Sequence, residues 1–348
     1  MNIHRSFSVL LLSGLILILG SIQNTADARD NNPGTSLSNI HKSGDMVARG
    51  EYLVNHVMAC FNCHSERDWG LYSAPVVPGT EGQGGHEFSG EYGTVYATNI
   101  TPYELGDWTD DEIFRALTSG IDHNGDSIMP IMPYERYSTL AEQDIRAIVA
   151  YLRTIEPIEF EVPERELNPD FDSSGLQVEP AFQDRPDPSD TVASGQYLVT
   201  AAGCVGCHTP WEKAGSGEPF LFSGGLEFNL PGGTVVSHNI TPDVESGIGD
   251  WTQDKFIHEF AEKRSRFDLR VITDDRPRNT PMGWNAYAGM TDQDLGAIYD
   301  FLMTLDPVYN ETHLRGGDDS HHDEDDDHGG HHDDDHHDDD HHNDDSHH

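Results

Sequence analysis

The sequence predicts an all-α chain of two tandem helical units followed by a disordered acidic tail. Three observations predict it. A long block of residues occurs twice, each copy closes on an apolar stripe of helical period, and the last stretch is nearly all Asp, His and Gly.

The repeat sets the register. Gly50–Val54 matches Gly195–Val199, Asn99–Pro102 matches Asn239–Pro242, and Gly106–Thr109 matches Gly249–Thr252. Ile145–Leu152 matches Leu295–Leu302. In that last pair Ile145, Ile148, Val149, Leu152 and Ile155 share one helical face, as do Leu295, Ile298, Leu302 and Leu305. Pro157 and Pro307 follow at equal offsets and stop each helix. Thr291 with Asp294 resembles a cap, whereas Ala141 in the first copy does not. Short helices are expected over Gly50–Ala59 and Gly195–Gly203. A further helix in each copy is expected over Asp110–Ser119 and Gln253–Lys263. The domain reading is therefore 45–157 and 191–307. Between them, 158–190 is rich in Pro, Glu and Asp and reads as a linker. Residues 29–44 read as a flexible lead-in and 308–348 as the tail.

The four cysteines all lie in two Cys-x-x-Cys-His runs, Cys60–His64 and Cys204–His208. This is the signature of covalent haem c attachment. Cys60, Cys63, Cys204 and Cys207 would each form a thioether to a haem vinyl group. His64 and His208 would be the proximal iron ligands. Two disulfides, or a zinc or redox site, would use the same thiols but would not explain a histidine after both pairs.

A closed six-coordinate iron needs a second axial ligand, commonly Met or His. Met129 and Met132 are the candidates in the first copy, and Met282 in the second. Met132 lies 12 residues before Asp144 and Met282 lies 12 before Asp294, so the register selects Met132 with Met282. Met58 and Met290 have no matching position and read as packing residues. His56, His86, His123, His238 and His258 do not pair between the copies and read as surface or core histidines. The recurring Tyr52, Tyr197, Trp108 and Trp251 read as packing aromatics, and Asn99 and Asn239 as turn residues.

Composition narrows the function. The formal charge is -42, of which the tail from Gly316 supplies 15 acidic residues and no Lys or Arg. Phosphate would be repelled, which argues against nucleic-acid binding. A redox partner protein with a basic docking surface would be steered toward the chain. Residues 1–28 read as a secretory signal: Arg5, the apolar run Val9–Leu19 and the small-x-small site Ala26–Ala28. The run is shorter than the about 20 apolar residues of a spanning helix. An uncleaved anchor is the alternative. Periplasmic or other exported localisation is expected, with no integral span after cleavage.

Both halves resemble the class I cytochrome c domains of cytochrome subunits from membrane-bound bacterial alcohol, aldehyde and related dehydrogenases. The resemblance rests on His238–Pro242, Gly247–Thr252, Gly120–Gly125 and Met132–Tyr134, and it covers residues 45–307. It implies small helical domains around two covalent haems, with His64 and Met132 on one iron and His208 and Met282 on the other. It also implies a dehydrogenase catalytic subunit as a partner. Such subunits often carry three haem domains, and this chain has two. A soluble or loosely attached two-haem carrier fits better than a membrane-docked subunit.

From Asp318 on, the tail holds 11 His, mostly in pairs split by Asp runs. Weak multisite binding of Zn, Cu or Ni is one expectation, and a solvated charged tail is the other. The functional expectation is an electron carrier between a dehydrogenase-type donor and a respiratory acceptor, with no catalytic residue. The alternatives are a dihaem peroxidase-like enzyme and a metal-binding protein acting through its tail.

Overall fold

The computed structural model describes residues 37–211, 220–230, 233–265, 271–272 and 279–312. The signal expected at 1–28 and the tail from residue 313, with its metal-binding expectation, lie outside the described residues. The chain divides into two compact units. Among the described residues, unit 1 comprises those up to Glu66 and Val77–Arg185; unit 2 comprises Arg67–Val76 and those from Pro186 on.

In unit 1, helix α1 (Leu37–Tyr52) continues into a π-helical turn, Leu53–Val57, and a 3-10 turn follows at Cys60–Asn62. Strands β1 (Glu87–Gly90) and β2 (Gly93–Tyr96) come next. Then come α2 (Pro102–Leu105), α3 (Asp110–Ser119), α4 (Tyr134–Tyr137), α5 (Glu142–Leu152) and the short β3 (Glu166–Leu167). Unit 2 holds α6 (Thr191–Ala202), α7 (Cys204–Cys207), β4 (Glu227–Leu230), β5 (Gly233–Val236), α8 (Gln253–Ser265), α9 (Trp284–Tyr287) and α10 (Asp292–Leu302).

Each unit is built on one close helix crossing. A Cβ on Gly50 of α1 would sit 1.9 Å from the Ala147 carbonyl oxygen of α5. A Cβ on Gly195 of α6 would sit 1.9 Å from the Ala297 carbonyl oxygen of α10. Only glycine permits that approach. The apolar stripes expected on α5 and α10 supply the core: Ile145, Ile148 and Leu152 in one, Leu295, Ile298 and Leu302 in the other, all buried. Each such side chain contributes roughly 1.5–3 kcal/mol on burial.

The two helices after the crossing start differently. Thr291 caps α10 by accepting from the Asp294 backbone N–H. Ala141 offers α5 no side-chain cap. Asp144 is instead fully buried, taking a two-pronged contact from Arg49 at 3.1 and 2.8 Å and a third from Arg185 at 2.5 Å. Two guanidinium groups compensate the cost of burying that carboxylate.

The all-α expectation needs correction, because each unit also carries an antiparallel hairpin. β1 pairs with β2 from Glu87↔Tyr96 to Gly90↔Gly93, and β4 pairs with β5 from Glu227↔Val236 to Leu230↔Gly233. β3 adds a third strand in unit 1. Four-residue strands are at the lower limit of what alternation reveals, and the tight turns rest on glycine, with Gly93 at φ 108° and Gly233 at φ 135°.

Three expected boundaries also move. α1 begins at Leu37, inside the expected lead-in. The expected linker belongs to unit 1 as far as Arg185. Leu167 pairs with Gly93, the Val178 N–H donates to the Ser119 carbonyl at 3.1 Å, and the Ala181 N–H to the Ser138 carbonyl at 2.9 Å. Residues 308–312, expected as tail, are held by unit 2: Asn239 Nδ2 donates to the Val308 carbonyl at 2.7 Å and Asn310 Nδ2 to the Ser223 carbonyl at 2.9 Å. Extended chain that satisfies its hydrogen bonds on a neighbouring surface carries no periodic signal. Among the described residues, no helix is long and apolar enough to cross a membrane.

Candidate haem-binding sites

Each Cys-x-x-Cys-His run is wound into a single turn. The His64 N–H donates to the Cys60 carbonyl at 3.0 Å, and the His208 N–H to the Cys204 carbonyl at 3.0 Å. The residue before each run is left-handed: Gly203 at φ 73°, and Ala59 at φ 49°. Glycine occupies that region without strain, whereas alanine is strained there. The turn brings both thiols of a pair and the following histidine to one place. None of the four cysteines is disulfide-bonded; Cys60 and Cys204 are half-buried, Cys63 and Cys207 exposed. Burial, then the neighbouring Cys63, pushes the Cys60 thiol up to about 12.

The hairpins orient the two histidines. Two residues beyond β2, the Thr98 carbonyl lies 2.7 Å from His64 Nδ1; two residues beyond β5, the His238 carbonyl lies 2.8 Å from His208 Nδ1. A carbonyl only accepts, so Nδ1 carries the proton in each ring and Nε2 presents its lone pair. Enclosure by protein lowers both imidazole pKa values, against the opposing pull of those carbonyls, and favours the neutral form that binds a metal.

The peptides around each histidine are held alike. The Gly84 N–H donates to the His64 carbonyl at 2.9 Å, and the Gly224 N–H to the His208 carbonyl at 2.8 Å. A Cβ on Gly84 would lie 2.6 Å from the Ala97 carbonyl oxygen, and one on Gly224 would lie 2.4 Å from the His238 carbonyl carbon. The residue after each run is a buried hydroxyl that accepts a backbone N–H: Ser65 from Gly82 at 2.9 Å, Thr209 from Phe222 at 3.1 Å.

These groups were missed in the sequence, although the signal was there. Gly84–Phe88 with Gly93–Val95 recurs as Gly224–Phe228 with Gly233–Val235, and a hydroxyl follows His64 and His208 in both copies. The Asn-Ile-Thr-Pro repeat does hold a turn. Asn99 Oδ1 accepts from the Thr101 N–H at 2.9 Å and its Nδ2 donates to the Ile158 carbonyl at 2.9 Å; Asn239 repeats the first contact with Thr241.

The methionine candidates sit on matching short loops. The Tyr134 N–H donates to the Met132 carbonyl at 2.8 Å, and the Trp284 N–H to the Met282 carbonyl at 2.9 Å. Both side chains are half-buried. Met129 is buried, as are Met58 and Met290. His123 packs on Trp108 at 4.5 Å and His86 on Phe88 at 4.8 Å between ring centroids.

Comparison with known proteins decides the class. Residues 192–306 match the family model described as Cytochrome c, and residues 45–152 match the one described as Cytochrome C oxidase, cbb3-type, subunit III. The chain carries cytochrome c domains. Such domains imply covalently bound haem c. The donor set fits: unbridged thiols one turn apart, and a histidine with Nδ1 already committed and Nε2 available.

The cytochrome c domains of this chain are homologous to those of dehydrogenase cytochrome subunits. The chain is 29% identical over 296 residues to the cytochrome c subunit of alcohol dehydrogenase (quinone) from Gluconacetobacter polyoxogenes, covering 79% of this chain and 59% of that protein. It is 29% identical over 325 residues to the gluconate 2-dehydrogenase cytochrome c subunit of Pantoea cypripedii, covering 85% and 65%. It is 31% identical over 228 residues to the fructose dehydrogenase cytochrome subunit of Gluconobacter japonicus, covering 60% and 43%. The chain thus spans less than two thirds of the length of each of these relatives.

Proposed function

We propose that the protein is an exported two-haem c-type cytochrome that carries electrons from a dehydrogenase-type donor to a respiratory acceptor. The observation that carries this reading is the duplicated histidine geometry. In both units the ring that follows the cysteine pair has Nδ1 tied to a backbone carbonyl and Nε2 left for iron.

Cys60 and Cys63 would hold one haem, Cys204 and Cys207 the other. His64 with Met132, and His208 with Met282, would close the two irons. The shared backbone bonding of the two methionine loops and their shared partial exposure support that pairing over Met129. When bound, each haem supplies a reversible one-electron couple, with the thioether ligand raising its potential. The chain's own residues bind and orient the haem and keep water from it. No acid–base group is required. A dehydrogenase catalytic subunit is the donor class that the relatives' names suggest.

The test is a visible spectrum of the reduced holoprotein with and without carbon monoxide, on a sample whose covalent haem is quantified. Two haems and no spectral shift are expected. A shift in the wild-type protein would mean an open iron and would move a peroxidase-like role ahead of the carrier.

A further inference from the structure

The two copies differ in length at several places, and one of them lies between the histidine and the hairpin. His64 is followed by Gly84 after 20 residues, whereas His208 is followed by Gly224 after 16. The longer stretch contains Arg67–Val76, the segment that belongs to unit 2. The haem geometry described above makes no use of those residues.

Their hydrogen bonds converge on the loop of Met282. Ser73, 1% exposed, donates from Oγ to the Met282 carbonyl at 2.7 Å, and the same Oγ accepts from the Trp284 N–H at 3.1 Å. One hydroxyl therefore bridges the two peptides that flank Gly283. Asn279, 4% exposed, completes the arrangement. Its Oδ1 accepts from the Ser73 N–H and the Thr280 N–H, both at 2.8 Å; its Nδ2 donates to the carbonyls of Trp69 at 3.0 Å and Leu71 at 3.1 Å. Asn285 Nδ2 reaches the Ser73 carbonyl at 3.4 Å, and the Ile272 N–H donates to the Gly70 carbonyl at 2.8 Å.

The segment is shaped for the task. Ser73 and Ala74 both adopt left-handed backbone, at φ 63° and φ 40°. Arg67 braces that bend, donating from Nε to the Ala74 carbonyl at 2.6 Å and from Nη2 to the Ser73 carbonyl at 2.7 Å. Two adjacent non-glycine residues held left-handed signal a conformation imposed by their surroundings.

We infer that Arg67–Val76 is a clip that positions the axial methionine loop of the second haem, with Ser73 and Asn279 as its positioning residues. This rests on the reading of Met282 as the ligand of the second iron. The clip fixes the peptides on both sides of Gly283, and so limits how far the Met282 side chain swings away from iron. A ligand held this way rebinds before an exogenous ligand takes its place.

The test uses the full-length holoprotein with Ser73→Gly. Glycine accepts φ 63° and keeps the N–H to Asn279, so only the bridging hydroxyl is lost. Removing that pair of hydrogen bonds is expected to raise the fraction of reduced protein with Met282 off iron about tenfold. The readouts are faster carbon monoxide uptake by one haem of the two in the reduced protein and a weaker Met–iron charge-transfer band in the oxidised protein, with the other haem unchanged. Asn279→Asp, which keeps the Oδ1 contacts and loses the donations to Trp69 and Leu71, should act in the same direction.

Met282→Ala separates the two ideas. If it leaves both haems closed to carbon monoxide, Met282 is not the ligand and the underlying reading fails. If it opens one haem while Ser73→Gly and Asn279→Asp leave uptake and band unchanged, the clip is overturned. Ser73→Gly combined with Met282→Ala should open no further site, whereas combined with Met132→Ala it should affect both. The reverse pattern would place the clip's effect on the other iron and would also overturn it.

Discussion

The two units share a helix crossing, a hairpin and a Cys-x-x-Cys-His turn, yet they fasten the loop of the candidate methionine by opposite means. In unit 1 the loop is packed: Met129 is buried, and Tyr134 is fully buried with its hydroxyl donating to the Leu176 carbonyl at 2.6 Å. In the repeat register, Asn279 stands where unit 1 has Met129. Unit 2 therefore has an amide at the position of an apolar side chain, and that amide ties the loop to Ser73 and Leu71. One scaffold tolerates either solution because the loop needs its peptides fixed, by whichever chemistry is available.

The crossing is where the units agree most closely, so it should break both alike. Gly50→Val and Gly195→Val place a branched side chain on a backbone carbonyl and should each cost more than about 4 kcal/mol. The check is loss of one covalent haem per variant on expression, or a thermal transition lowered by tens of degrees. Equal severity in the two units is expected; a mild effect in either would mean that the crossing is not shared.

The buried carboxylate should separate the units. Asp144→Ala leaves Arg49 and Arg185 without their common partner, and should destabilise unit 1 by about 3 kcal/mol. Asp294→Ala changes a half-buried residue whose backbone N–H, the group Thr291 caps, is retained. It should cost about 1 kcal/mol. Chemical denaturation of the two variants side by side measures the contrast.

Smaller effects sharpen it. Tyr134→Phe removes the hydroxyl bond to Leu176 and should cost about 1 kcal/mol. Faster proteolysis within residues 168–182 should accompany it, with no change in unit 2. Ala59→Gly should stabilise unit 1 by up to about 1 kcal/mol, because the release of left-handed strain exceeds the extra freedom that glycine has when unfolded. The same position in unit 2 already holds glycine, so Gly203→Ala should destabilise that unit by a similar free energy, read as a lower melting temperature.

What the sequence revealed is what local rules control. The α3 bounds Asp110–Ser119 were legible because Thr109 and Glu112 form a capping box and Gly120 ends the helix at φ 68°. The stripes of α5 and α10 were legible because one buried face imposes a 3.6-residue period. The candidate attachment residues stood out because thioether chemistry needs that spacing. The carbonyls that orient His64 and His208 were not, since any residue supplies a carbonyl and Thr98 and His238 share no side-chain character. The Ser73–Asn279 contact joins residues 206 positions apart, and only the chain path creates it. A length difference between the repeats was its one trace in the sequence.

Residues 67–76 complete unit 2 while lying between two stretches of unit 1, so halves of the gene no longer correspond to halves of the molecule. A recombination event that copied or deleted the coding region from residue 186 onward would carry the second haem-attachment turn without Ser73. Any further module added to it by the same route would arrive with its methionine loop unfastened.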